Sequence, residues 1–521
     1  MKVPVRLPAS FGWVGLALSL PLLVAGLLFP LGALLFEAGQ PELPFFDPLV
    51  LRIATLTVGQ AALSAAIAGV LGVALGLLVG SRASERVLRV ARVLLLLPFG
   101  VPTVAAAMAW VGHSHWLGQN GLGIAYTLSA VVLAHVSFNV PLVALQVAQA
   151  RRTVPASEIE AACSLGARGA PVFRFVIWPR IRAHAQSSVA QVFSLCAMSF
   201  ALVLVLGGGP PVETLETSIY ARLRFGELDV SGALACALWQ LVIAGAPWAW
   251  ILLQRDEVDR LNRQPARAAR RGGFAAQSTM GSALVLLACG VWMLPYLSLV
   301  RPVFSHTSTL SQSEVLRATW VSLELALWSA LISSLAALGA AWASVSLRVA
   351  RPLAWLSAAP SGVSALVLGL GAWIAYARVV DPFEGSRALI IGIQAVIFLP
   401  LSFRLVFPVV REFHSRLWEA AVTLGASSFQ AYRHIEWPRL RRPLFAAFTM
   451  VFVASLGELA TVSLFFSENL VPLPLLIARL NAQYRFEEAQ AIAGFLILLA
   501  AVSVGALEFA AKGDSHARAR K

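Results

Sequence analysis

The chain has 521 residues, 58% of them hydrophobic and only 13% charged, with a mean hydropathy of +0.77. So little polar material cannot cover a water-soluble surface, which excludes an ordinary globular domain. The net charge of +14 does not indicate a nucleic-acid partner, because the basic residues sit between apolar runs rather than in one patch.

The first apolar run, 11–36, follows Lys2 and Arg6 and exceeds the roughly 7–15 apolar residues of a signal peptide, so it reads as a retained helix. Eleven more runs follow, at 51–79, 90–110, 122–149, 184–206, 231–253, 281–301, 319–346, 353–377, 387–410, 444–466 and 489–510. Each is long enough to cross a hydrocarbon core of about 30 Å. The fold class is therefore an all-α polytopic membrane protein with about 12 spans. The segments 1–10, 80–92, 150–183, 254–272, 346–352, 411–443 and 511–521 hold 30 of the 40 lysines and arginines. The opposite loops carry acids: Glu37, Glu42, Asp47, Glu213, Glu216, Asp381, Glu384 and Glu468. This asymmetry places both termini in the cytoplasm. The cysteines Cys163, Cys196, Cys236 and Cys289 show no CxxC spacing and no disulfide framework.

The chain repeats itself. Glu160-Ala161-Ala162-Cys163-Ser164-Leu165-Gly166-Ala167 returns 259 residues later as Glu419-Ala420-Ala421-Val422-Thr423-Leu424-Gly425-Ala426. At the same offset Val176-Ile177-Trp178-Pro179 answers Ile435-Glu436-Trp437-Pro438, and Pro141 answers Pro400. Leu51-Arg52 and Leu316-Arg317 each open a long span, and Pro98-Phe99-Gly100-Val101 parallels Pro360-Ser361-Gly362-Val363. Two homologous six-helix halves follow: 1–253 with a polar motif at 158–180, and 274–521 with its copy at 417–439. The basic stretch 254–273 joins them as a solvated tether.

In each motif Glu-Ala-Ala reads as the start of a short helix whose small side chains permit close approach by a partner. Ser157, three residues before Glu160, fits a capping box. Gly166 and Gly425 stop the helix and allow a turn with positive φ. Pro179 and Pro438 stand where the next span begins. Lysine occurs only at Lys2, Lys512 and Lys521, so no phosphate-binding loop with its lysine is available in between. If ATP drives this machine, another polypeptide hydrolyses it.

The order Glu-Ala-Ala, three residues, Gly, nine residues, Ile, one residue, Leu-Pro is the coupling motif that these segments resemble, that of ABC importer permeases. Val176 stands for the isoleucine, and Trp178 and Trp437 for the leucine. Two motifs in one chain resemble the fused permeases of thiamine and iron(III) uptake. Gly207-Gly208-Gly209-Pro210, Thr214-Leu215-Glu216, Ile219-Tyr220-Ala221-Arg222-Leu223-Arg224-Phe225 and Ser455-Leu456-Gly457-Glu458 look like the thiamine branch, with ferric iron as the alternative cargo. The resemblance implies a type I, MetI-like permease of the bacterial inner membrane. It also implies a periplasmic solute-binding protein and two ATP-binding cassette ATPase subunits that use ATP and Mg. Glu160, Ala161, Ala162, Gly166 and Pro179, with Glu419, Ala420, Ala421, Gly425 and Pro438, would couple to them. The chain itself would be no enzyme.

An ionisable residue inside a span is costly and usually faces a partner or water. Glu458, next to Gly457, is the leading pathway candidate, with Ser199 and Phe200 at the equivalent place in the first half. A carboxylate there either attracts a cation or bonds a neighbouring helix. Glu324 and Arg404 are weaker candidates, and His113 and His115 read as a surface pair rather than a metal site. A membrane metalloprotease would need HExxH, which is absent. An ion-coupled secondary transporter would leave the duplicated polar motif without a role.

Overall fold

The computed structural model of the protein describes residues 9–39, 43–82, 85–121, 124, 126–207, 209, 211–225, 228–262, 279–347, 350–381, 384, 386–412 and 415–518. Among these residues there is no strand, only two isolated bridges, Gly209 with Val212 and Ser467 with Leu470. In hydrocarbon, helices are the way a chain without a closed sheet satisfies its own N–H and C=O groups.

The chain opens with α1 (Ala9–Leu23), a π-helical turn (Val24–Leu28) and α2 (Phe29–Glu37), which form one span. Next come α3 (Pro48–Arg82), α4 (Glu85–Gly100), α5 (Thr103–Gln119) and α6 (Leu128–Thr153). The polar motif follows as α7 (Ala156–Ser164), α8 (Ala170–Val172) and a π turn (Phe173–Ile177), leading into α9 (Trp178–Ala197). The half closes with α10 (Ala201–Gly207), α11 (Leu215–Arg224) and α12 (Val230–Asn262).

The second half begins with α13 (Thr279–Gly290), a 3-10 segment (Val291–Leu299), α14 (Val300–Ser305) and α15 (Thr307–Leu310). Then come α16 (Ser313–Ser346), α17 (Ala350–Ala358), a 3-10 turn (Ala359–Gly362), α18 (Ala365–Tyr376), α19 (Arg387–Ile397) and α20 (Leu399–Arg411). Its motif is α21 (Ser415–Thr423), α22 (Ser428–Ala431) and a π turn (Tyr432–Glu436), followed by α23 (Trp437–Leu456). The last helices are α24 (Ala460–Phe465), α25 (Leu473–Ala482) and α26 (Phe486–Arg518).

The repeat is structural in detail. Both π turns, both helix starts at Trp178 and Trp437, and both breaks after Ala197 and Leu456 lie 259 residues apart. The Leu215 N–H donates to Thr57 Oγ1 at 3.0 Å, and the Leu473 N–H donates to Ser322 Oγ at 2.8 Å, so α11 and α25 dock alike on α3 and α16.

Seven helices are long and apolar enough to cross a membrane, and four bent pairs raise the number to 11 among the described residues. The remaining expected span, 444–466, is the pair α23 and α24, broken like α9 and α10. α12 runs on to Asn262, so the first part of the expected tether is helical; its remainder, with Arg263, Arg267, Arg270 and Arg271, lies outside the described residues.

The first span packs on the opposite half. Phe11 meets Trp342, Trp418 and Tyr432 with ring centroids 5.2–6.2 Å apart, and the Tyr376 hydroxyl donates to the Ala25 carbonyl at 2.7 Å. In return the Ser298 hydroxyl, before α14, donates to the Ala109 carbonyl of α5 at 2.8 Å.

Candidate functional site

Two regions gather the residues singled out by sequence: the duplicated hairpins and the helix breaks where the halves meet. In the first hairpin the Gly166 N–H donates to the Cys163 carbonyl and the Ala167 N–H to the Ala162 carbonyl, both at 3.0 Å. In the second, Gly425 bonds Val422 and Ala426 bonds Ala421, both at 2.9 Å. This double bond is the Schellman closure, which needs a residue in the left-handed region. Gly166 and Gly425 supply it at φ +86° and +85°.

Among the described residues each helix buries one side chain, Ile159 in α7 and Trp418 in α21, again 259 residues apart. Glu158 forms an ion pair with Arg180, tying α7 to α9. The opposite faces are open: Glu160, Ala161, Glu419 and Ala420 are exposed, with Ala162 and Ala421 half-buried. At the tips Leu165 is 89% exposed and Leu424 88%, and Phe175 and Phe429 are also exposed in the same hairpins. Such apolar tips on a polar surface suit a partner that covers them. Pro179 and Pro438 occupy the first turns of α9 and α23, as expected. Ser157 does not cap α7: the helix begins at Ala156 with Pro155 at its N-cap position, whose fixed φ starts the turn without a side-chain bond.

The second region is the break between α23 and α24. A Cβ on Gly457 would lie 2.5 Å from Pro102 Cβ and 2.6 Å from its Cα, so the two halves touch backbone to ring here. The Thr103 hydroxyl seals the contact by donating to the Gly457 carbonyl at 3.2 Å. Glu458 is half-buried, and its oxygens accept from the Thr461 N–H at 3.0 and 3.1 Å, capping α24. Gln394 donates to Glu458 at 3.3 Å and accepts from Ser455 at 2.5 Å and from Ser329 at 3.0 Å. One glutamine thus joins α16, α19, α23 and the carboxylate. At the equivalent break Ser199 is half-buried, whereas Phe200 is packed edge-on against Tyr220 at 5.3 Å.

Glu216 is not a loop acid. It lies in the first turn of α11, is 0% exposed, and adjoins Gln240 and Ser364. Thr214, in a reciprocal capping box with Thr217, starts that helix, and this Thr-x-x-Thr spacing was the available sequence signal. Gln240 and Gln394 carried no signal, being single amides inside apolar runs. Among the weaker candidates, Glu324 pairs with Arg387 at 3.6 Å. His113 stacks on Trp116 and His115 meets Tyr126 and Phe486 edge-on, so both histidines serve aromatic packing.

Residues 72–249 and 330–508 each match the binding-protein-dependent transport system inner membrane component family. The chain belongs to this family. It is a multi-pass permease subunit of an ABC importer, not itself an enzyme, and such permeases work with ATPase and binding-protein partners. The permease is 29% identical to a thiamine transport system permease protein of Brucella abortus, over 97% of this chain and 95% of that protein. The corresponding Salmonella typhimurium protein is 28% identical over 79% of each chain. A probable sulfate transport system permease protein of Nephroselmis olivacea is 27% identical over 45% of this permease and 86% of its own length.

Proposed function

We propose that the chain is the membrane pathway of a thiamine importer, driven by ATP hydrolysis in separate subunits. The observation that carries the cargo is the end-to-end likeness to a thiamine transport permease, 97% of this chain on 95% of the Brucella abortus protein. Under this reading each hairpin seats in one of two ATPase subunits. Glu160, Ala161, Ala162 and Gly166, leading to Pro179, serve one; Glu419, Ala420, Ala421 and Gly425, leading to Pro438, serve the other. The exposed Leu165 and Leu424 and the stiff Schellman closures favour that role, since a lever must be apolar at its tip and rigid behind it. ATP and Mg belong to those subunits.

A solute-binding protein delivers cargo at the opposite end, to a path between halves 1–253 and 274–521 that passes Gly457, Glu458, Ser199 and Phe200. The basic segments between spans favour both termini lying in the cytoplasm. Calorimetry on the binding protein of the same system tests the cargo: tight thiamine binding is expected, and ferric iron binding without a thiamine signal would overturn it. The purified chain is expected to hydrolyse no ATP until its ATPase subunits are added. Turnover by the chain alone, freed of contaminating ATPases, would contradict the division of labour.

A further inference from the structure

The two carboxylate oxygens of Glu216 lie buried between the halves, beside Ser364 of the second. Both carboxylate oxygens of Glu216 are buried without a hydrogen-bond partner; Ser364 and Gln240 adjoin them, but neither completes a bond of ordinary geometry. Gln240 donates one amide N–H to the Ala197 carbonyl at 2.9 Å, and its Oε1 is buried without a partner. α11 packs on α24, with the Arg224 side chain donating to the Phe466 carbonyl at 3.3 Å at their far ends, and Glu216 and Glu458 stand at the starts of the two helices. Neither carboxylate forms an ion pair with a described residue. The guanidiniums of Arg224 and Arg479 lie over the Phe466 ring at 4.0 and 4.7 Å, toward the ends of α11 and α25.

Burying two carboxylates together is expensive unless a positive group joins them or a proton neutralises one. Glu458 is half-buried at the helix break, and Glu216 is fully buried at the start of α11. A pair shared across the halves also separates whenever the halves move, so affinity there is tied to the state of the pathway.

We propose that Glu216 of the first half and Glu458 of the second form one cation site through which a positively charged cargo passes. The identity of the cation rests on the thiamine reading; the thiazolium ring carries a permanent positive charge, and the aminopyrimidine offers N–H donors to the carboxylates. The site takes organic cations and disfavours neutral or anionic solutes.

The test uses the complete transporter, permease with ATPase subunits and binding protein, in proteoliposomes. The readout is thiamine imported per ATP hydrolysed, for wild type, Glu216→Gln, Glu458→Gln and the double variant. Glutamine keeps the shape and removes the charge. Each single variant is expected to lower the ratio about tenfold or more, and the double variant to fall little further, as residues acting as one unit do. A wild-type ratio in the double variant would overturn the site. So would a parallel loss of uptake and ATP hydrolysis, which marks a purely structural role. If the wild-type transporter imports no thiamine, the cargo reading fails instead. The same variants are then read with the solute that the binding protein holds: the same fall with a cationic solute supports the pair, and a neutral or anionic solute overturns it.

Discussion

Replacing Gly166 and Gly425 together by valine is expected to cut ATP-driven uptake severely while the membrane helices stay folded. Both glycines sit at φ near +85°, where a side chain clashes with its own backbone. The cost is about 1–2 kcal/mol per residue, more for a β-branched side chain. Around each glycine a Cβ would meet nothing within 4 Å, so the strain is local and no neighbour in the core is pushed. The chain escapes it by opening the Schellman bonds, which frees Leu165 and Leu424 from fixed positions beyond α7 and α21. About 1.4 kcal/mol corresponds to a factor of ten in an equilibrium constant, so two distorted levers are expected to lower uptake by roughly a hundredfold. Melting of the purified permease is expected to shift by only a few degrees, within about 2–4 °C. Uptake at the wild-type rate would contradict the lever role; loss of the folded permease would instead place these glycines in the core.

The repeat was readable because the hairpins are polar and turn-containing in a chain that is otherwise apolar, so their residue identities are constrained by backbone geometry. The glycines, the prolines of α9 and α23 and the helical form of Glu-Ala-Ala all followed from local rules. The break after Ala197 was not readable, since the run 184–206 stays apolar through it; at Leu456 the signal was present in Gly457 and Glu458 but pointed equally to a pathway residue in an unbroken span. Lipid and protein interior select the same side chains, so hydropathy is silent on whether a span is straight. The same silence hid the crossing of the first span to the other half, because an apolar face does not name its partner. Glu216 was misplaced for a different reason. A short segment between two spans looks like a loop by length alone, and the capping pattern at Thr214 that begins α11 is a weaker cue than the charge.

Gly457→Ala is expected to block closure between the halves and to cut uptake at least as severely as a lost pathway residue. The added methyl would sit 2.5–2.6 Å from two atoms of Pro102 and 3.3 Å from a third. Pro102 cannot step aside, because its ring fixes φ and it precedes the first turn of α5. The halves must part by about 1 Å to restore ordinary carbon contact near 3.5–4.0 Å. That displacement breaks the Thr103–Gly457 bond and moves Glu458 away from the first half. Overpacking of this kind costs about 1–3 kcal/mol, which is up to roughly a hundredfold in the population of the closed state. Gly59→Ala in α3 is the control: a Cβ there meets nothing within 4 Å, and alanine is the better helix former. Reconstituted uptake and thermal melting, measured on both variants, check the claim. Gly59→Ala is expected to match wild type in both. Wild-type uptake and melting in Gly457→Ala would mean that the contact with Pro102 does not govern closure.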